Sequence, residues 1–87
     1  MLSSLSFGIV KNPVIIRAFG VHLRTLRLQK GLSQQALADE ADLSRPTIQR
    51  VETAHLCATL DVLTSIARGL RIPLRELLDF PEADTVS

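Results

Sequence analysis

The sequence predicts an all-α protein of five short helices packed into one compact domain. Apolar residues recur at alternating spacings of three and four along most of the chain. A serine or threonine stands directly before several of these stretches, where its hydroxyl can cap a helix, and no segment requires a β-strand. Apolar residues make up 46% of the 87 residues, and Trp and Tyr are absent, so the core is expected to be aliphatic.

The first predicted helix spans residues 13–30 and carries one apolar stripe. Gly20 interrupts this pattern at a small cost in helix propensity. Gly31 is well placed to end the helix in a left-handed conformation. The stripe consists of Ile16, Phe19, Leu23 and Leu26.

Two shorter helices, residues 34–41 and 45–53, follow with only a tight turn between them. Ser33 can cap the first and Ser44 the second, and Pro46 suits the first helical turn, where its missing N–H costs little. Helices joined so closely must cross steeply, which leaves the second one projecting. The inward positions are Leu37, Ala38 and Ala41 in one helix and Ile48 and Val51 in the other.

Two further helices complete the domain. Thr59 can cap the fourth helix, Pro73 opens the fifth, and Pro81 ends it. We divide the chain into an N-terminal arm (residues 1–12), which could be flexible or pair as a strand with a partner chain, a helical domain (residues 13–80) and a flexible acidic tail (residues 81–87). The predicted buried positions are Leu60, Leu63, Ile66, Ala67 and Leu70 in the fourth helix and Leu74, Leu77 and Leu78 in the fifth.

The outward side chains of the projecting third helix suit contact with DNA bases. An α-helix fits the major groove of DNA, where arginine can bind guanine O6 and N7 and glutamine can bind adenine N6 and N7. Arg45, Gln49 and Arg50 supply these groups, and Thr47 could reach a phosphate or a thymine methyl. A competing interpretation makes all four residues ordinary solvated surface on a helix kept for packing.

Residues 19–80 resemble the Cro/phage-repressor type of helix-turn-helix, also called the xenobiotic-response-element family. The resemblance implies a five-helix, lambda-repressor-like domain that binds double-stranded DNA, with the positions of Arg45, Gln49 and Arg50 facing the bases. The matching residues are Leu23, Arg24, Leu26, Arg27, Gly31, Leu32, Ser33, Gln34, Leu37, Ala38, Leu43, Ser44, Ile48 and Glu52, and then Leu60, Leu63, Ile66, Ala67, Leu70, Ile72, Pro73, Leu74 and Leu77.

The resemblance implies roles for five more residues. The position of Gln34 typically grips the DNA backbone, and the free N–H groups at the start of a helix favour phosphate. Ser33 and Ser44 are candidates for phosphate contact in addition to capping. Arg27 and Glu52 resemble a structural ion pair that joins the first helix to the end of the third.

The chain departs from the family pattern at three places. Asp42 replaces a frequent glycine in the turn, where aspartate tolerates the left-handed conformation better than most residues. Residues 54–58 form an unusually apolar loop that could pack inward or onto a partner. Arg71 also replaces a frequent glycine, which leaves the turn between the fourth and fifth helices open to irregular geometry.

Charge and composition favour a DNA-binding regulator over an enzyme. Residues 11–50 carry seven basic and three acidic residues, a net charge of +4, although the whole chain carries only +1. One cysteine and two histidines in unrelated positions predict no catalytic residue, no metal site and no cofactor. No apolar run is long enough to span a bilayer, so we expect a cytoplasmic protein that does not enter membranes.

The sequence leaves two functions open. The first is a homodimeric transcriptional regulator that reads a two-fold symmetric operator through its third helix and dimerises through Leu74, Leu77, Leu78 and Phe80. A controller of a restriction–modification system is a narrower form of this hypothesis. The second is a protein-interaction module, such as an antitoxin or a bridging protein.

Overall fold

Five α-helices and a terminal 3-10 helix make up the computed structural model, which describes residues 13–84. No β-strand occurs within this range, so the predicted all-α class is confirmed. The arm predicted for residues 1–12 and the last residues of the predicted tail, 85–87, lie outside the described residues. The helices are α1 (Pro13–Gln29), α2 (Gln34–Ala41), α3 (Arg45–Glu52), α4 (Leu60–Leu70) and α5 (Leu74–Leu77), and the 3-10 helix is Pro81–Asp84.

Capping hydroxyls explain why α2, α3 and α4 begin where they do. The side-chain oxygens of Ser33, Ser44 and Thr59 accept a hydrogen bond from the backbone N–H three residues later, at 3.0, 3.2 and 3.2 Å respectively. Each bond satisfies one of the N–H groups that a helix start leaves without a partner. Such a cap stabilises a helix by about 1 kcal/mol.

Left-handed residues end four of the helices, among them Ala54 after α3, which has φ 62°. Gly31 has φ 72°, Asp42 has φ 56° and Arg71 has φ 60°, and Asp42 adopts the conformation that the sequence predicted for it. The turn after α4 is regular despite its arginine. The N–H of Ile72 donates to the carbonyl of Ala67 at 3.0 Å, which is the bond that usually accompanies a glycine at this position.

The buried core is aliphatic, as predicted, but two leucines lie elsewhere. Leu60 is 66% exposed because it is the first residue of α4, and side chains on a helix lean toward its N-terminus and here lead away from the core. Leu78 is 37% exposed because α5 ends at Leu77 and Leu78 leaves the helical face. The buried apolar residues are Phe19, Leu23, Leu37, Ala38, Ala41, Ile48, Val51, Ile66, Ala67, Leu70, Leu77 and Phe80.

The chain after α5 returns to α1. Phe80 is buried, and its ring centroid lies 5.9 Å from that of Phe19 and 5.4 Å from that of His22. Pro81 then starts the 3-10 helix, which contacts α1. Residues 81–84, which the sequence placed in the tail, therefore have helical structure beside the core.

Candidate nucleic-acid interface

The turn between α2 and α3 fixes how far α3 projects from the domain. Left-handed Asp42 reverses the chain, and the N–H of Leu43 donates to the carbonyl of Ala38 at 2.9 Å. Arg68 of α4 adds a second restraint, since its Nη2 lies 3.2 Å from the carbonyl oxygen of Ala41 and 3.4 Å from Oδ2 of Asp42. No local sequence pattern indicates this contact, because α2 and α4 are distant along the chain.

Three of the four predicted base-reading side chains lie on the open face of α3. Ile48 and Val51 are buried in the core, and the opposite side of the helix exposes Arg45, Gln49 and Arg50. Within residues 13–84, these three side chains form no hydrogen bond or ion pair to another group. Their donors and acceptors are therefore available to a ligand.

Thr47 is less exposed than Arg45, Gln49 and Arg50, and its hydroxyl group has a partner within the protein. It is only partly exposed, and its hydroxyl lies 2.7 Å from the hydroxyl of Ser44. The backbone N–H of Thr47 also donates to that same serine oxygen. Of the two contacts predicted for Thr47, the apolar contact with a thymine methyl fits this arrangement better than a hydroxyl contact with phosphate.

The predicted phosphate-binding residues lie at the starts of α2 and α3. Ser33 and Ser44 are exposed, and both hydroxyl oxygens serve as caps. Gln34 is partly buried and its Nε2 donates to Oε1 of Glu52 at 3.2 Å, a link that the sequence did not reveal. One N–H of the Gln34 amide and the free backbone N–H groups of the first helical turn remain as donors.

The predicted ion pair between Arg27 and Glu52 is present and nearly buried. Nε of Arg27 lies 2.6 Å from Oε2 of Glu52, and Nη2 lies 3.1 Å from Oε1. Only 8% of the arginine side chain and 3% of the glutamate side chain are exposed. Nη1 of Arg27 also donates to the carbonyl of Leu32 at 2.8 Å, so the pair joins α1, the start of α2 and the end of α3.

The predicted dimer surface on α5 needs a correction. Leu77 is buried because the single turn of α5 points it inward, and Phe80, which follows α5, is buried beside Phe19 of α1. Leu78 instead borders an open apolar groove of about 150 Å³ between α1, the loop after α3, and α5. The groove is lined by Ile15, Ile16, Phe19, Leu56, Cys57, Ala58, Leu63, Leu78 and Phe80.

Among residues 13–84, no group of three or more His, Cys, Asp or Glu side chains is placed to hold a metal ion. No helix of that range has the length and apolar character needed to cross a bilayer.

Comparisons with known proteins agree with this geometry. A helix-turn-helix family model matches residues 23–77. Control protein C.BamHI of Bacillus amyloliquefaciens is 38% identical over 63 residues, which cover 71% of this chain and 78% of that protein. The crystal structure of the restriction-modification controller protein C.AhdI from Aeromonas hydrophila superposes with a TM-score of 0.70 at 36% identity, over 76% of this chain and 98% of that one.

A second similar structure shows the same fold in another regulator. ClgR, a regulator of the clp gene in C. glutamicum, superposes with a TM-score of 0.70 over 77% of this chain and 87% of that one, at 24% identity. The chain described here therefore belongs to the Cro/phage-repressor helix-turn-helix family and is a DNA-binding transcription regulator.

Proposed function

We propose that this chain is the controller of a restriction–modification system and binds its operator as a homodimer. The names of C.BamHI and C.AhdI support the controller role, and the chain spans nearly the whole length of C.AhdI. The observation that carries the DNA-binding mechanism is the open face of α3, on which Arg45, Gln49 and Arg50 have no competing partner among the described residues.

The spacing of these three residues suits a short run of base pairs. Gln49 and Arg50 follow Arg45 by about one helical turn, or roughly 6 Å along the axis. Base pairs in DNA rise by about 3.4 Å, so the three side chains address neighbouring pairs in the major groove. Arg45 and Arg50 would bind guanine and Gln49 adenine, while Thr47 contributes an apolar contact with thymine.

Backbone contacts would hold α3 in register with those base pairs. The starts of α2 and α3 present free backbone N–H groups, and the remaining N–H of the Gln34 amide lies beside them. Ser33 and Ser44 fix these helix starts by capping, so their contribution to phosphate binding runs mainly through the backbone they position. Such contacts orient a protein on DNA without specifying its sequence.

A second copy of the chain would double the number of base pairs read. One domain reaches only a few base pairs, and a two-fold dimer reads the same pattern twice on a symmetric operator. The apolar groove beside Leu56 and Leu78 is the surface we assign to this contact. A regulator of this design needs no cofactor or metal, and we place it in the cytoplasm with the DNA that it controls.

DNA binding can be tested with fragments selected by the protein itself. Genomic fragments that the purified protein retains would define the preferred duplex, which is then compared with a scrambled duplex by fluorescence anisotropy. Arg45→Ala/Arg50→Ala should lose the preference for the selected duplex, by about tenfold or more, because each good arginine–guanine pair discriminates by about 1–3 kcal/mol.

Arg75→Ala is the matched control, since Arg75 is an exposed arginine on α5, away from α3. It should keep the preference of the natural protein. The base-reading assignment is wrong if the double variant is folded, judged by circular dichroism, and still discriminates between the two duplexes as well as the natural protein does.

One observation favours the second function, a protein-interaction module such as an antitoxin or a bridging protein. The groove beside residues 54–58 is open and almost wholly apolar. A stable complex with a non-identical protein that fills this groove, and that forms only in the absence of DNA, would support that role. Selective binding of DNA by the isolated chain argues against it as the only role.

A further inference from the structure

The side of α1 that faces away from the core carries an apolar stripe. Val14, Val21 and Leu28 are 54%, 65% and 56% exposed, and we call these three residues the outer stripe. They are spaced seven residues apart, which is close to two helical turns, so their side chains lie along one face. Single exposed apolar residues are ordinary, but an aligned row on one helix is the pattern of a contact surface.

Positive charge borders the outer stripe along one edge. Arg17 and Arg24 are exposed, are also seven residues apart, and fall between the apolar positions. Helix α1 contains no aspartate or glutamate, and its remaining arginine, Arg27, is buried and paired. On the other edge, Val21 shares a shallow surface groove with Pro81 and Glu82 of the 3-10 helix.

The outer stripe is separate from the surfaces already assigned. With about 100° of rotation per residue, Val21 and Leu28 lie about 160–180° around α1 from Phe19, which lines the apolar groove. The base-reading side chains belong to α3, whose end packs against Gly20, about 100° around α1 from Val21; Arg17, on the edge nearer α3, lines a surface groove with Thr53 and Ala54. A molecule on the outer stripe could therefore bind while the proposed dimer occupies its operator.

The arginines beside the outer stripe distinguish two possible binding partners, which are a second copy of this chain and a helix of another protein. In a two-fold contact between antiparallel copies of α1, like edges meet, so four arginines would face one another while Glu82 lies on the opposite edge, which is unfavourable. A helix with an apolar row and an acidic edge would cover the leucine and valines and pair its carboxylates with Arg17 and Arg24. We propose that the outer stripe is a docking site for an acidic amphipathic helix of another protein.

A designed peptide can test this chemistry with the full chain. The probe is a fluorescent helical peptide of about 20 residues, with leucines at spacings of three and four and glutamates along one flank. Its control replaces every glutamate with glutamine. Binding is followed by fluorescence anisotropy across a range of salt, and thermal melts establish that each variant is folded.

Matched variants locate the contact. Val21→Lys and Arg17→Glu/Arg24→Glu should each weaken binding of the acidic peptide by about tenfold or more, as expected when the centre of an interface is disrupted. Leu60→Lys is the apolar control, because Leu60 is 66% exposed compared with 65% for Val21, and Arg75→Glu is the charge control. Both controls should change the affinity by less than about twofold.

Three results would overturn the proposal. In the first, the glutamine peptide binds as tightly as the acidic one, or the controls weaken binding as much as the stripe variants. In the second, Val21→Lys lowers the sedimentation coefficient of the protein alone, which would make the stripe a contact between copies. In the third, the acidic peptide does not bind and Arg17→Glu/Arg24→Glu weakens DNA binding, which would assign this face to DNA.

Discussion

At the scale of single residues, Gly20 has the tightest surroundings among the glycines of residues 13–84. A Cβ atom added to it would lie 2.5 Å from the carbonyl oxygen of Glu52 and 2.8 Å from that of Val51. These atoms belong to the backbone at the end of α3, so no side chain can move aside. Glycine in the middle of α1 costs helix propensity but lets α3 approach closely, and this approach helps to set the position of the face of α3 that we propose reads bases.

Gly20→Ala should therefore destabilise the protein, although alanine favours helices by about 1 kcal/mol over glycine. We expect a loss of about 1–3 kcal/mol in the free energy of unfolding, the usual cost of overpacking, measured by urea denaturation. Thr25→Ala, at an exposed position of the same helix, should change it by less than about 0.5 kcal/mol. An unchanged or increased stability of Gly20→Ala would show that α1 and α3 separate without cost.

At Gly31, glycine is favoured by the backbone conformation and not by a lack of space for a side chain. It has φ 72°, and an added Cβ would meet no atom within 4 Å. Gly31→Ala should cost about 1 kcal/mol of stability, purely because alanine disfavours the left-handed conformation. Gly31→Asn should cost less, because asparagine tolerates that conformation better. Equal losses for alanine and asparagine, measured by urea denaturation, would contradict this conformational explanation.

At the scale of the elements, the pair of Arg27 and Glu52 connects α1, α2 and α3 to one another. Arg27 contacts the carbonyl of Leu32 just before α2, and Glu52 accepts the amide of Gln34 inside α2. The same two residues join α1 to the last residue of α3. Their arrangement holds the start of α2 and the end of α3 in a fixed relation to α1.

Glu52→Ala should destabilise the protein by about 3–5 kcal/mol, because it leaves the guanidinium of Arg27 buried without its partner. The free energy of unfolding from urea denaturation gives the value. Arg27→Met/Glu52→Met, which removes both charges, is the matched comparison and should be less harmful than the single change. A small effect of Glu52→Ala would mean that water reaches the guanidinium of Arg27 once the glutamate side chain is removed.

Glu52→Gln distinguishes a structural role from a base-reading one. We expect lower stability with unchanged preference for the selected DNA duplex under conditions where the variant is folded. A change in sequence preference at undiminished stability would place Glu52 among the residues that read bases.

The sequence predicted the helices well because their signals are local. Ser33, Ser44 and Thr59 stand three residues before the N–H groups they satisfy, so the starts of α2, α3 and α4 can be found without knowing the fold. The exposed side of α3 followed in the same way from the inward spacing of Ile48 and Val51.

Contacts between residues that are distant along the chain, and burial at the ends of helices, could not be predicted from the sequence. In the sequence, Gly20 is only a residue of low helix propensity in α1. The structure shows that the backbone at the end of α3 packs against it. The bond from Gln34 to Glu52 and that from Arg68 to the turn after α2 join residues 18 and 27 positions apart. Leu60 and Leu78 fit a helical apolar pattern, but Leu60 is the first residue of α4 and Leu78 follows the last residue of α5. At such positions the pattern does not predict burial.

At the scale of the whole molecule, charge is divided along the chain. Residues 11–50 carry a net charge of +4 and residues 51–87 a net charge of −3. The buried Arg27 is neutralised by Glu52, so the positive field toward DNA comes from exposed residues such as Arg45 and Arg50. This division orients the helix-turn-helix toward a phosphate backbone even though the chain is nearly neutral.

The proposed dimer requires the apolar groove to be covered by a second copy. Leu56→Lys and Leu78→Lys each place a charge at the rim of the groove, so each should shift the protein toward a monomer in analytical ultracentrifugation. They should also weaken binding to a full operator by about tenfold or more, while binding to a half-site changes little. The second measurement separates loss of dimerisation from damage to α3.

Val21→Lys is the control for this experiment, because Val21 is an exposed apolar residue on the far side of α1 from the groove. It should leave both the sedimentation coefficient and the affinity for the full operator unchanged. If both groove variants remain dimers and keep full affinity, the two-fold contact lies elsewhere on the molecule, and the groove is then free to serve the protein-interaction role instead.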